Sequence, residues 1–119
     1  MARKVIDNPN HCSLVFAMNV IGGKWKPIII YLLANGSLRF GKLLLFIPNI
    51  SKKVLTDQLK ELAEDGLIIR ERFAETPPRV EYSLSKKGEA LLPILKALST
   101  WTAESFTDTE FEACKIVSL

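Results

Sequence analysis

Soft metal ligands are scarce in this 119-residue chain, which holds two cysteines, Cys12 and Cys114, and one histidine, His11. Neither a four-ligand structural zinc site nor a disulfide framework can be built from them, so zinc fingers and small disulfide scaffolds are excluded and no metal is expected. Long apolar runs are missing as well. The two longest, residues 28–34 and 43–48, fall well short of the ~18 residues that cross a membrane. Residues 1–6 lead into Asp7, Asn8, Pro9 and Asn10 rather than a continuous apolar stretch, which does not read as a secretory signal. A reducing cytoplasm is the expected compartment. With no low-complexity segment and no repeating period, one domain over residues 1–119 is expected.

Catalytic constellations are equally thin. Glu61, Glu64 and Asp65 share one helical stretch, Glu71, Glu75 and Glu81 lie on a ribbon, and no histidine or base-activated hydroxyl joins them. Neither general acid-base nor nucleophilic chemistry has its parts. His11 and Cys12 are adjacent, and neighbours at a helix start point apart instead of pairing. Gly22-Gly23-Lys24 suggests a phosphate loop, yet Met18 stands where that motif needs glycine and Trp25 where it needs Ser or Thr. Trp25 is read as an anchor holding a helix start in the core. No enzyme and no cofactor is expected.

What is present is a hydrophobic content of 48%, enough for one core, and an uneven charge. The net is +3, but residues 1–60 carry nine basic and two acidic side chains, and residues 61–119 carry seven and eleven. An anionic partner would dock on the first half. Leu14, Ala17, Met18 and Ile21 recur at helical spacing before Gly22-Gly23, which predicts a first helix over 12–21. The second, over 24–34, tolerates Pro27 in its first turn and is apolar nearly all round, so it belongs at the centre of the core. Ser37 is expected to cap a third helix over 40–46, ended by Ile47-Pro48-Asn49. Ser51 caps a fourth over 52–65, where Leu55, Leu59 and Leu62 form the buried stripe and Gly66 the stop.

Beyond Gly66 the period falls to 2. Val80, Tyr82 and Leu84 alternate with Arg79, Glu81 and Ser83, so this half-buried strand pairs with residues 67–73. The connection over 74–78 contains Pro77 and Pro78, which cannot donate ladder hydrogen bonds, and it projects as a loop. Ser85 caps a last helix to about residue 106, bent at Pro93.

This order predicts a mainly α fold with a small antiparallel β-ribbon (α+β): a winged helix-turn-helix with a long C-terminal dimerisation helix. The fourth helix opens with Ser51-Lys52-Lys53, so free N–H groups, the helix dipole and two cations point one way, toward phosphate. Residues 51–60 are expected in the major groove of double-stranded operator DNA, with Lys53 and Thr56 at base edges and Lys60 on the same free face. Lys52, Arg39 and Lys42, the last two assigned to the third helix, are expected to grip phosphate, and Arg79 to rest near the flanking minor groove. Asp57 would repel phosphate there, so it accepts from a cytosine amino group or pairs with Lys53 or Lys60. Leu14, Met18, Leu91, Leu95, Leu98 and Trp101 exceed what one small core needs and predict a homodimer seam, with some of them packing within the chain. The reading from a different class is a winged helix used as a protein-interaction module, with the acidic second half as its surface.

From Cys12 to about Trp101 the chain resembles the HxlR-type transcriptional regulators. The resemblance is carried by Cys12, Ile21-Gly22-Gly23-Lys24-Trp25, Arg39-Phe40, Ile50-Ser51 to Leu55, and Leu59 to Gly66-Leu67-Ile68. Arg70, Pro77-Pro78-Arg79-Val80-Glu81-Tyr82-Ser83-Leu84, Lys87-Gly88 and Trp101 complete it. It implies a dimeric winged-helix DNA binder of bacteria or archaea, often responsive to electrophiles or oxidants through the cysteine at the position of Cys12. In the family that cysteine is commonly followed by proline, whereas Ser13 follows here. Cys12 is expected at or just before the first turn of helix 1, where unpaired N–H groups favour negative charge. The alternative is a small packing residue at the seam.

Overall fold

The computed structural model describes residues 12–107. Helix α1 (Ser13–Ile21) is followed by α2 (Trp25–Leu32), which tightens into a 3-10 turn over Leu33–Asn35. A two-residue strand β1 (Leu38–Arg39) leads into α3 (Phe40–Phe46) and α4 (Lys52–Glu64). The strands β2 (Ile68–Phe73) and β3 (Arg79–Leu84) form the wing, and α5 (Lys86–Ser105) closes the chain. The expected fold class holds, with helices dominant and one small antiparallel sheet.

Ile29, Ile30, Leu32 and Leu33 sit at the centre of the core, where Leu43, Ile47, Leu55, Leu59, Leu62, Leu67, Ile68 and Leu95 meet them. Each such side chain contributes about 1.5 to 3 kcal/mol when fully buried. Trp25, half-buried, packs against this cluster from the first turn of α2, in line with its reading as an anchor. The α4 stripe of Leu55, Leu59 and Leu62 is buried as its spacing requires.

The sheet has three strands, in the order β1-β3-β2, where the sequence predicts two. Leu38 pairs with Tyr82 and Arg39 with Glu81. Two corrections follow. Arg39 lies in β1 and at the N-cap of α3 instead of inside the helix, and Ser37 does not cap it. The Ser37 hydroxyl instead donates to Glu81 Oε1 at 2.8 Å. The remaining ladder runs from Ile68 opposite Leu84 to Phe73 opposite Arg79, so the hairpin register is regular throughout.

The joint between wing and α5 is tight. Ser85 Oγ accepts from the Gly88 N–H at 3.1 Å and donates toward the Gly66 and Leu67 carbonyls, at 2.6 and 3.0 Å. Gly88 packs so closely that a Cβ there would collide with the Leu67 carbonyl oxygen. Gly66 itself has φ +79, the left-handed conformation that ends α4. Helix α5 runs through Pro93 as one continuous helix.

Leu95, expected on a dimer seam, is a correction too: it is buried in this chain's own core, against α2. Leu91 packs partly against the same core. The exposed apolar stripe of α5 is Ile94, Leu98 and Trp101, one helical step around from Leu95, and Trp101 meets Phe106 edge to face at 5.9 Å. On α1, Leu14, Phe16 and Met18 are exposed, and only Val20 and Ile21, at its end, pack on the core. Residues 1–11 and Cys114, with the acidic tail around it, lie outside the described residues.

Candidate nucleic-acid interface

Helices α3 and α4 are joined by a turn that Pro48 and Asn49 shape. Ile47 is extended, as a residue before proline must be, and Asn49 takes φ 69. Asn tolerates that left-handed geometry better than other side chains. Ser51 then starts α4 in extended conformation, and its hydroxyl accepts the Val54 N–H at 3.1 Å. The first turn holds no acidic residue.

Charge along α4 is strongly polar. Its first turn exposes Lys52 and Lys53, Lys60 follows two turns later, and Glu61, Glu64 and Asp65 gather at its C-terminal end. The start of the helix is the end whose charge suits phosphate. Lys53 Nζ is 3.1 Å from Asp57 Oδ2, so Asp57 takes the pairing that its spacing allowed. Thr56 Oγ1 donates to the Lys52 carbonyl at 2.8 Å, which fixes the hydroxyl and turns its methyl and a remaining lone pair outward.

Around this helix the expected cations are dispersed. Lys42 on α3 is exposed, with Nζ 5.9 Å from the Phe46 ring centroid. Arg39 is exposed but shares a sheet face with Glu81, its partner in the ladder. Arg79 is the least available of the set. Its Nη2 is 3.1 Å from Glu75 Oε2, its Nε is 3.5 Å from Glu81 Oε2, and its guanidinium stacks 4.1 Å from the Phe73 centroid. The Nε contact is an ion pair without hydrogen-bond geometry.

Two features lie beyond what the sequence reading singled out. Lys26 is buried and paired with Glu61, and Ile94 and Phe16 belong to the exposed apolar surface. A groove of about 350 Å³ runs between α2 and α5, lined by Pro27, Tyr31, Leu95, Leu98 and Thr102 among others. Cys12 is the N-cap of α1, half-exposed and extended, and its carbonyl accepts the Phe16 N–H at 3.0 Å. Among the described residues, no group of His, Cys, Asp and Glu could hold a metal, and no helix is long and apolar enough to cross a membrane.

A helix-turn-helix whose second helix is capped by a serine and opens on two lysines, followed by a two-stranded wing in a three-stranded sheet, defines the fold of a winged-helix transcriptional regulator. The comparisons agree: residues 20–110 match the family model for the HxlR-like helix-turn-helix, and the chain belongs to that family. It is 47% identical, over 80% of its length and 72% of the relative's, to a helix-turn-helix transcriptional regulator of Methanothermobacter thermautotrophicus. Among solved structures it is similar to the redox regulator HypR in its reduced form, with a TM-score of 0.74, 42% identity and coverage of 81% and 94% of the two chains. The reduced transcriptional regulator YodB of Bacillus subtilis has a TM-score of 0.76 and 31% identity, with 83% and 97% covered.

Proposed function

We propose that this regulator binds double-stranded DNA in the cytoplasm, sequence-specifically and as a homodimer, on a pseudo-palindromic operator. The observation that carries the reading is the α4 start: a Ser51 cap, Lys52 and Lys53 beside it, and no carboxylate in the first turn. Residues 51–60 lie in the major groove, Lys53 and Thr56 meet base edges, and Lys52, Lys60, Arg39 and Lys42 hold the backbone. The Lys53 ion pair with Asp57 is exposed, so it contributes little and opens readily when a base edge competes.

Two recognition helices reach successive major-groove faces when a two-fold axis sets them about 34 to 36 Å apart. The exposed Leu14, Phe16 and Met18 of α1 and Ile94, Leu98 and Trp101 of α5 supply apolar surface for that axis. Cys12, at the start of α1, is where an oxidant or electrophile would act on the seam, a reading supported by the likeness to a redox regulator.

The test is an electrophoretic shift with DNA flanking the protein's own gene against unrelated DNA of equal length, repeated over a range of salt. Preference for the flanking DNA and a steep fall in affinity with salt are expected. Absence of any shift, with affinity for a protein partner instead, would make the chain an interaction module.

A further inference from the structure

We propose that the wing grips the DNA backbone through Arg70 and Arg72, and that Arg79 is a positioning residue that braces the wing loop. The proposal rests on the DNA-binding reading. Ladder pairing divides the wing into two faces. One carries Phe73, Glu71 and Ile69 of β2 with Arg79, Glu81 and Ser83 of β3; the other carries Ile68, Arg70 and Arg72 with Leu84, Tyr82 and Val80.

The first face is unfit for phosphate. Glu71 stands opposite Glu81, Glu75 lies in the adjoining loop, and the Arg79 guanidinium is spent on Glu75 and Glu81 while flattened on Phe73. Its one positive charge faces two carboxylates. To meet DNA it would have to give up both ion pairs and its ring, and leave those carboxylates beside phosphate.

The second face is the one that packs on the helices, because Ile68 at its inner end is buried in the cluster with Leu55, Leu59 and Leu62 of α4. Arg70 and Arg72 continue that face outward, two residues apart and so about 7 Å along the strand. Both are exposed, and neither has an ion pair among the described residues. Two guanidiniums without an ion pair thus stand on the helix-facing side of the wing, and each can fork onto a phosphate.

The experiment measures binding to a mixed-sequence duplex of about 30 base pairs, long enough for two half-sites, as a function of salt. Arg72→Gln is expected to make the slope of log K against log salt shallower by about one, and Arg70→Gln/Arg72→Gln by about two, with melting temperatures like wild type. Arg79→Gln is expected to keep the wild-type slope and to melt lower. A wild-type slope in the double variant overturns the proposal, as does a shallower slope in Arg79→Gln while Arg72→Gln keeps the full one. Wild-type protein without salt-dependent binding sinks the DNA reading itself, an outcome distinct from either.

Discussion

Lys26 Nζ, at the buried start of α2, lies 2.6 Å from Glu61 Oε1 on α4, with side-chain exposures of 6% and 49%. This is the charged tie between the two helices, and its two ends are unequal. Glu61 can be solvated when its partner is lost; Lys26 cannot. Glu61→Ala therefore leaves an uncompensated buried ammonium and is expected to cost about 1 to 3 kcal/mol in urea unfolding. Lys26→Met keeps the volume, removes the charge and is expected to cost less. Equal losses would show that the tie acts through packing alone.

Phosphate grip and base readout separate by variant. Lys52→Ala is expected to weaken all duplexes alike, because a lysine on phosphate carries no sequence information. Lys53→Ala and Thr56→Ala are expected also to relax preference at particular base pairs, by about 1 to 3 kcal/mol for each true base contact. Measured against an operator and a random duplex, equal losses in all three variants would move the reading face elsewhere on α4.

The seam prediction concerns the exposed stripe and not the buried one. Leu98→Glu with Trp101→Glu is expected to give a monomer by light scattering at micromolar concentration, with its thermal unfolding still cooperative, since both side chains are more than half exposed in the single chain. Leu95→Glu is expected to unfold the protein, since Leu95 is core. A wild-type protein that is itself monomeric at that concentration would refute the homodimer.

For Cys12 the comparison is wild type against Cys12→Ser, with operator affinity measured before and after diamide. A response in wild type only is expected if oxidation at the α1 start shifts the spacing of the two recognition helices. Identical behaviour of the two proteins would leave Cys12 as a packing residue.

The elements written in local pattern were legible: the Ser51 and Ser85 caps, the α4 leucine stripe, the hairpin alternation and the apolar α2 all appear where their spacing puts them. What escaped depends on partners far along the chain. Strand β1 is two residues long, too short for any period, and exists because Leu38 and Arg39 find Tyr82 and Glu81. Lys26 looks like any lysine in a first helical turn until α4 lays Glu61 beside it. On α5 the apolar positions form two adjacent stripes, and only the placement of α2 decides that Leu95 turns inward and Ile94 outward. Among the wing arginines the sequence singles out Arg79, and only the fold shows the two carboxylates and the phenyl ring that set it apart from Arg72.

Between the wing and α5 the chain allows itself one residue, Ser85, hydrogen-bonded to Gly66 and Leu67 in the step from α4 to the wing and to Gly88 in the first turn of α5. The angular phase between the hairpin and the Leu98 face is thereby set by a single position. One residue inserted there must either break this knot or turn the rest of the helix by about 100°, pointing its apolar face away from any two-fold partner. Length can vary at residues 74–78, at the exposed loop, without such a penalty. The wing tip of this chain can thus be lengthened, while the step from wing to helix has only one workable length.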